Sequence, residues 1–133
     1  LLFYTDSYSY SWDKISDFLD AFVESGRGLV MGVFGMEVSM SNSYPVTNVT
    51  NSCWVADRGT KLTLGAILHP NHSVVQDVRT FDGGPASYHF SCDLVAGATE
   101  LARYSNGRPL ASVKAFNLTS GKIARRVDLN FPP

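Results

Sequence analysis

The sequence predicts an α/β domain with an N-terminal βαβ unit and a C-terminal antiparallel meander. Three observations carry that expectation. Trp12, Ile15, Phe18, Leu19, Phe22 and Val23 recur at helical spacing and make one apolar stripe. The stripe lies between two apolar runs, Leu1–Thr5 and Gly28–Phe34. The second run is continuously apolar, as suits a strand covered on both faces, and strand–helix–strand in this order is a βαβ unit with parallel strands. Near the C-terminus, Thr99–Tyr104, Leu110–Phe116 and Ile123–Phe131 read as strands, and Asn106-Gly107 between the first two is a strong hairpin signal.

The elements follow in order. Leu1–Thr5 forms a short strand ending at Asp6, and the loop carrying Tyr8 and Tyr10 caps the helix at Ser9 or Ser11. Asp13, Asp17, Asp20 and Glu24 fall mainly on the wet face, with Asp13 favourably near the positive end of the helix dipole. Gly26 and Gly28 stop the helix. Met36 to Asp57, rich in Ser, Asn, Thr and Val, reads as a long irregular excursion with a short strand near Cys53–Ala56. Lys61–Leu68 is a strand or a loop lying against the sheet, His69-Pro70-Asn71 a turn, and Ser73–Val78 one helical turn. Phe81-Asp82-Gly83-Gly84-Pro85 is a loop whose glycines supply positive φ. In the last strand Ile123, Val127, Leu129 and Phe131 share one parity, which Arg125 interrupts.

A length of 133 residues fits one domain, 1–133, with enough chain to bury most of its apolar surface. The net charge of −1 provides no field for nucleic acid or an anionic membrane. Arg125-Arg126, the basic doublet, is better explained by a strand edge than by a phosphate track. No apolar run approaches the roughly 18 residues of a membrane span. The chain opens Leu-Leu-Phe-Tyr-Thr-Asp, without Met or a basic leader, and reads as a fragment or processed product of a longer protein. Asn48-Val49-Thr50, Asn71-His72-Ser73 and Asn117-Leu118-Thr119 are N-glycosylation sequons in loop or turn segments. Cys53 and Cys92 form one disulfide or stay as two buried thiols. Sequons and paired cysteines together tilt the expectation towards an extracellular or cell-surface protein.

Several short motifs then line up with a known family. They are the glycine-rich turn and strand Gly28–Phe34, the His69-Pro70 turn, and Phe81-Asp82-Gly83-Gly84 ahead of Tyr88. Gly97-Ala98-Thr99-Glu100-Leu101-Ala102, Asn106-Gly107-Arg108-Pro109-Leu110-Ala111 and a final strand ending Leu129-Asn130-Phe131 complete the pattern. In this order they resemble the C-terminal two-thirds of a class I glutamine amidotransferase-like domain of the ThuA type. The resemblance spans nearly the whole chain. It implies a flavodoxin-like sheet whose first strands are missing, with Leu1–Thr5 as an inner strand. An uncovered Leu1–Thr5 edge would then pair with other copies or with the remainder of a parent chain. Amidotransferases carry their nucleophilic Cys in a Gly-x-Cys-x-Gly turn after this strand. Here Gly32-Val33-Phe34-Gly35-Met36 puts Phe34 at that position, so thiolate attack on glutamine is lost. The family's downstream His-x-Glu pair has no counterpart either.

The candidate ligand end comprises Asp6, Tyr8, Tyr10, His69 and Asp82. Asp6 stands at the carboxyl end of a strand, where α/β sheets place ligands, although a capping aspartate explains it as well. His69 matches the His-Pro turn of ThuA-like sequences but reads first as a turn residue. His69, His72, His89 and Asp82 raise a zinc site without any ligand spacing to support it, so no metal or cofactor is expected. Asp82-Gly83-Gly84 suits an anion nest less well than a plain turn. Tyr4, Tyr8, Tyr10, Trp12, Tyr44 and Trp54 cluster near the ligand end, and Trp12 belongs to the core by its helical spacing. The expected function is a non-catalytic structural or binding module. The alternatives are a ThuA-like hydrolase using Asp6 and His69, and a carbohydrate-binding module using the tyrosine-rich loop.

Overall fold

The computed structural model describes residues 1–4, 11–36, 43–50, 53–56, 61–86 and 88–132. Asp6, Tyr8 and Tyr10 lie outside them. The elements are β1 (Leu2–Phe3), α1 (Trp12–Glu24), β2 (Leu29–Gly32), β3 (Trp54–Ala56), β4 (Leu64–Ile67), β5 (Tyr88–Phe90), β6 (Thr99–Tyr104), β7 (Pro109–Asn117) and β8 (Ile123–Leu129). Among the described residues, six strands form one sheet in the order β1-β2-β8-β7-β6-β4, and β3 and β5 form an antiparallel ribbon. β1, β2 and β8 are mutually parallel, and β8, β7, β6 and β4 follow as antiparallel neighbours. The fold is α/β, consistent with a flavodoxin-like arrangement, and it has the expected βαβ start and antiparallel meander.

Local chemistry accounts for the boundaries. Ser11 takes the N-cap position of α1, and its carbonyl accepts the Ile15 N–H at 3.1 Å. Gly26, at φ +86°, ends the helix by donating its N–H to the Val23 carbonyl. The Asn106-Gly107 hairpin forms, with Gly107 at φ +85°. Gly65 sits at a β-bulge of β4, and a Cβ there would overlap the Tyr104 carbonyl of β6.

The core has two parts. Leu19 and Val23 of α1 pack with Leu29, Met31, Phe90, Cys92 and Ala124. Leu62 and Val75 pack with Leu101, Tyr104, Leu110 and Ala111. Strand residues of opposite parity enter different parts, as in a sheet covered on both faces (Phe116 joins the first, Val113 the second).

Three expectations need correction. Phe18 belongs to the periodic stripe, yet it is 60% exposed, while Ser16 is buried. The buried face of the helix runs through Trp12, Ile15, Leu19 and Val23, and Phe18 lies beside it, stacked against Phe22. Arg125-Arg126 is not at a sheet edge, because β8 lies between β2 and β7. Arg126 is fully buried and paired with Asp128, Nε to Oδ1 at 2.7 Å. In β8 the parity opposite to Ile123 and Val127 is also buried, at Ala124, Arg126 and Asp128, and so is Asn130 just beyond the strand. β1 is the edge strand among the described residues.

Candidate binding site

Because β1, β2 and β8 run the same way, their carboxyl ends meet at one end of the sheet. Tyr4 follows β1, Phe34 follows β2, and Asn130 and Phe131 follow β8. Gly32 is required here, since a Cβ on it would overlap the Tyr4 ring, whose partial burial raises the phenol pKa. The Val33 N–H donates to the Phe131 carbonyl at 3.3 Å and ties the two strand ends together. Phe34, in the turn after β2, is half-buried and packs on Tyr88 with ring centroids 5.7 Å apart.

Asn130 fixes this end to its surroundings. Its Nδ2 donates to the carbonyls of Phe90 and Pro109 at 2.8 and 2.7 Å, and its Oδ1 accepts the Phe90 N–H at 2.7 Å. The Tyr104 hydroxyl donates to the Asn130 carbonyl at 2.5 Å, and burial pushes that phenol's pKa upward. Tyr104 in turn stacks on Phe81 and on the buried His89.

A cleft of about 460 Å³ opens beside these residues, within the size range of ligand sites. Its walls are the aromatic rings of Phe81, Tyr88 and Phe131 and the turn from Asp82 to Ala86. Asp82 is anchored by a bridge to Thr63 and by the Gly83 N–H donating to the Leu62 carbonyl at 2.8 Å. Its Oδ1 accepts the Gly84 N–H at 2.9 Å, and its Oδ2 meets Lys61 Nζ at 2.5 Å. Lys61 first, and then the Gly84 N–H, hold the Asp82 carboxyl below its ordinary pKa. Both charged side chains are more than half exposed, at 58% and 59%, so the pair remains available to a ligand. The cleft therefore offers the Asp82 carboxylate and three aromatic side chains, with the Lys61 ammonium paired to Asp82 beside it.

Asp82 is thus the predicted site residue that lies at this end. His69 is exposed and follows β4, with its N–H donating to the Leu101 carbonyl at 3.3 Å. Asp82 is held at Thr63, beyond the opposite end of β4, and the strand rise puts Thr63 and Ile67 about 13 Å apart. His72 Nδ1 accepts the Val74 N–H at 3.3 Å, as a turn residue would. Among the described residues no three His, Cys, Asp or Glu side chains gather where a metal could bind. Cys53 and Cys92 form a disulfide with Cα atoms 5.3 Å apart, closing the end of the β3–β5 ribbon away from Tyr88. Asn48, Asn71 and Asn117 are all exposed.

Sequence reasoning did not name Lys61, Tyr88 or Phe131 as site residues. Phe131 carried a usable signal, because it directly follows a strand that proves parallel to β2. Lys61 and Tyr88 carried none, since long-range pairing brings them to the cleft.

No helix of the described residues is long and apolar enough to cross a membrane. No family model matches the chain, and no curated protein matches it. Structural comparison finds the cytoplasmic protein STM3548 from Salmonella typhimurium at TM-score 0.61 and 14% sequence identity. The match covers 96% of this chain and 51% of that one, so the chain spans about half the length of this neighbour, and the likeness is one of fold.

Proposed function

We propose that the chain is a non-catalytic binding module on an amidotransferase-like scaffold, and that it takes carbohydrate in the cleft at the carboxyl end of β2 and β8. The observation that carries this reading is the cleft itself. Phe81, Tyr88 and Phe131 offer apolar faces to the C–H surface of a sugar, and Asp82 and Lys61 offer an acceptor and a donor to its hydroxyls. Phe34 occupies the elbow with a ring that can neither attack nor transfer a proton. A hydrolase using Asp6, His69 and Asp82 would need them to converge, and His69 and Asp82 stand at opposite ends of β4.

Calorimetry with a panel of oligosaccharides tests the reading. Binding by at least one of them should weaken about tenfold in Tyr88→Ala and in Phe131→Ala. Release of ammonia from glutamine, or a sugar affinity indifferent to both substitutions, would overturn it.

The same module suits an oxidising, secretory setting, supported by the Cys53–Cys92 bridge and the exposure of all three sequons. The compartment of a fold neighbour at 14% identity does not transfer. Intact mass before and after deglycosylation and reduction, on protein from a secreting host, should reveal glycan on Asn48, Asn71 or Asn117. One observation favours a second role in assembly. Among the described strands β1 pairs only with β2, and Leu2 on it is 60% exposed. A neighbouring polypeptide adding a strand there would bury it. Light scattering of Leu2→Lys against the parent protein should then show loss of an oligomer.

A further inference from the structure

Behind the cleft lies a second cavity of about 300 Å³, between the sheet and the segment 74–81. Leu64, Ala102, Ala111 and Leu129 line it from the sheet, and Val74 and Val78 face them. Thr80 is the one lining residue with a polar side chain. A cavity of about 150 Å³ walled by Leu, Ile and Phe stays dry and takes benzene, so this one has room for roughly twice that apolar volume. Its apolar walls offer a ligand almost no hydrogen bonds.

The two cavities adjoin. Phe81 and Phe131 line both, and their rings pack with centroids 4.9 Å apart. A molecule lying across this ring pair would reach Asp82 on one side and Leu129 and Ala111 on the other. We infer that the physiological ligand is amphipathic, a saccharide joined to an alkyl or aryl group, with the sugar in the cleft and the apolar group in the cavity behind Phe81 and Phe131. The inference rests on the carbohydrate reading of the cleft and adds the chemical class of what the sugar carries.

Methyl, butyl, hexyl and octyl β-D-glucosides, each below its micelle-forming concentration, supply the test by NMR titration, with the matching n-alkanols as a second arm. Affinity should rise about fourfold per added methylene until the cavity is full, from roughly 0.8 kcal/mol per buried methylene. Methyl glucoside should shift Gly84 and Tyr88, and longer chains should add shifts at Ala111 and Val75. Ala111→Leu should remove the chain-length dependence and leave the methyl glucoside response unchanged. Val74→Phe, at a half-buried position, does the same from the opposite wall should Ala111→Leu fail to fold. Equal affinity across the glucoside series would overturn the inference and spare the carbohydrate reading. Alkanols binding as tightly as their glucosides, with Gly84 and Tyr88 unmoved, would overturn the carbohydrate reading and the amphipathic ligand with it.

Discussion

Asp82 holds its carboxylate between the Lys61 ammonium and the Gly84 N–H, and both favour the charged form. The Gly84 amide resonance should therefore titrate with a midpoint below 3.8, the ordinary value for the group. A pKa depressed by folding gives stability that is present above the unfolded pKa and lost as pH falls through the folded one. The carboxylate is more than half exposed, so the local resonance rather than global stability is the readout; a midpoint at or above the ordinary value would contradict the pairing. Tyr44 shows the opposite sign. Its hydroxyl donates to Glu24, and that bond, followed by burial, pushes its pKa from 10.0 to about 12. Its contribution is complete below pH 10 and lost as pH rises through about 12. Tyr44→Phe should flatten part of the alkaline loss of stability measured by urea denaturation between those limits; an unchanged slope would remove Tyr44 from the explanation. Neither pairing was legible in the sequence, because Lys61 and Asp82, like Glu24 and Tyr44, meet only after the chain has folded.

At the scale of elements, the βαβ unit was readable because its signals are local and periodic. Leu19 and Val23 recur one turn apart, and Leu29 and Met31 form part of an unbroken apolar run. The meander was readable from its turns, where Gly107 and Gly121 adopt the positive φ that glycine tolerates. β8 was less legible. Its charged residues suggested an edge, whereas Arg126 and Asp128 are 0% and 1% exposed and fasten the loop 43–50 to the sheet. Asp128 Oδ2 accepts the Thr47 N–H and hydroxyl at 3.1 and 2.8 Å, and Arg126 Nη1 donates to the Tyr44 carbonyl at 3.2 Å. Asp128→Ala leaves the guanidinium buried without its partner, and should cost about 3–5 kcal/mol by denaturant melt. Replacing both, as Arg126→Met with Asp128→Leu, should cost much less. A single substitution costing as little as the double one would mean the pair does not hold this loop.

For the whole molecule, the class of fold was accessible from sequence and the cleft was not. Periodicity and turn chemistry act over a few residues, whereas the cleft joins Asp82, Tyr88 and Phe131 from three separate segments, with Lys61 paired to Asp82 from a fourth. In the sequence, Asp6 stands at the end of the first apolar run, Tyr8 and Tyr10 are aromatics of the loop after it, and His69 belongs to a His-Pro turn. His69 failed to reach Asp82 because β4 runs antiparallel to β6 and carries it away from the cleft. Phe34 lies in the turn after β2, and its contact with Tyr88 makes it part of the cleft's support. The central claim is that the carboxyl end of the sheet binds a sugar rather than transforming glutamine. Amide chemical-shift mapping with an oligosaccharide panel, on uniformly labelled protein, tests it most directly. Shifts that saturate and cluster at Gly83, Gly84, Tyr88 and Phe131 are predicted; saturable shifts confined to the His69–His72 turn, or none with any sugar, would contradict it.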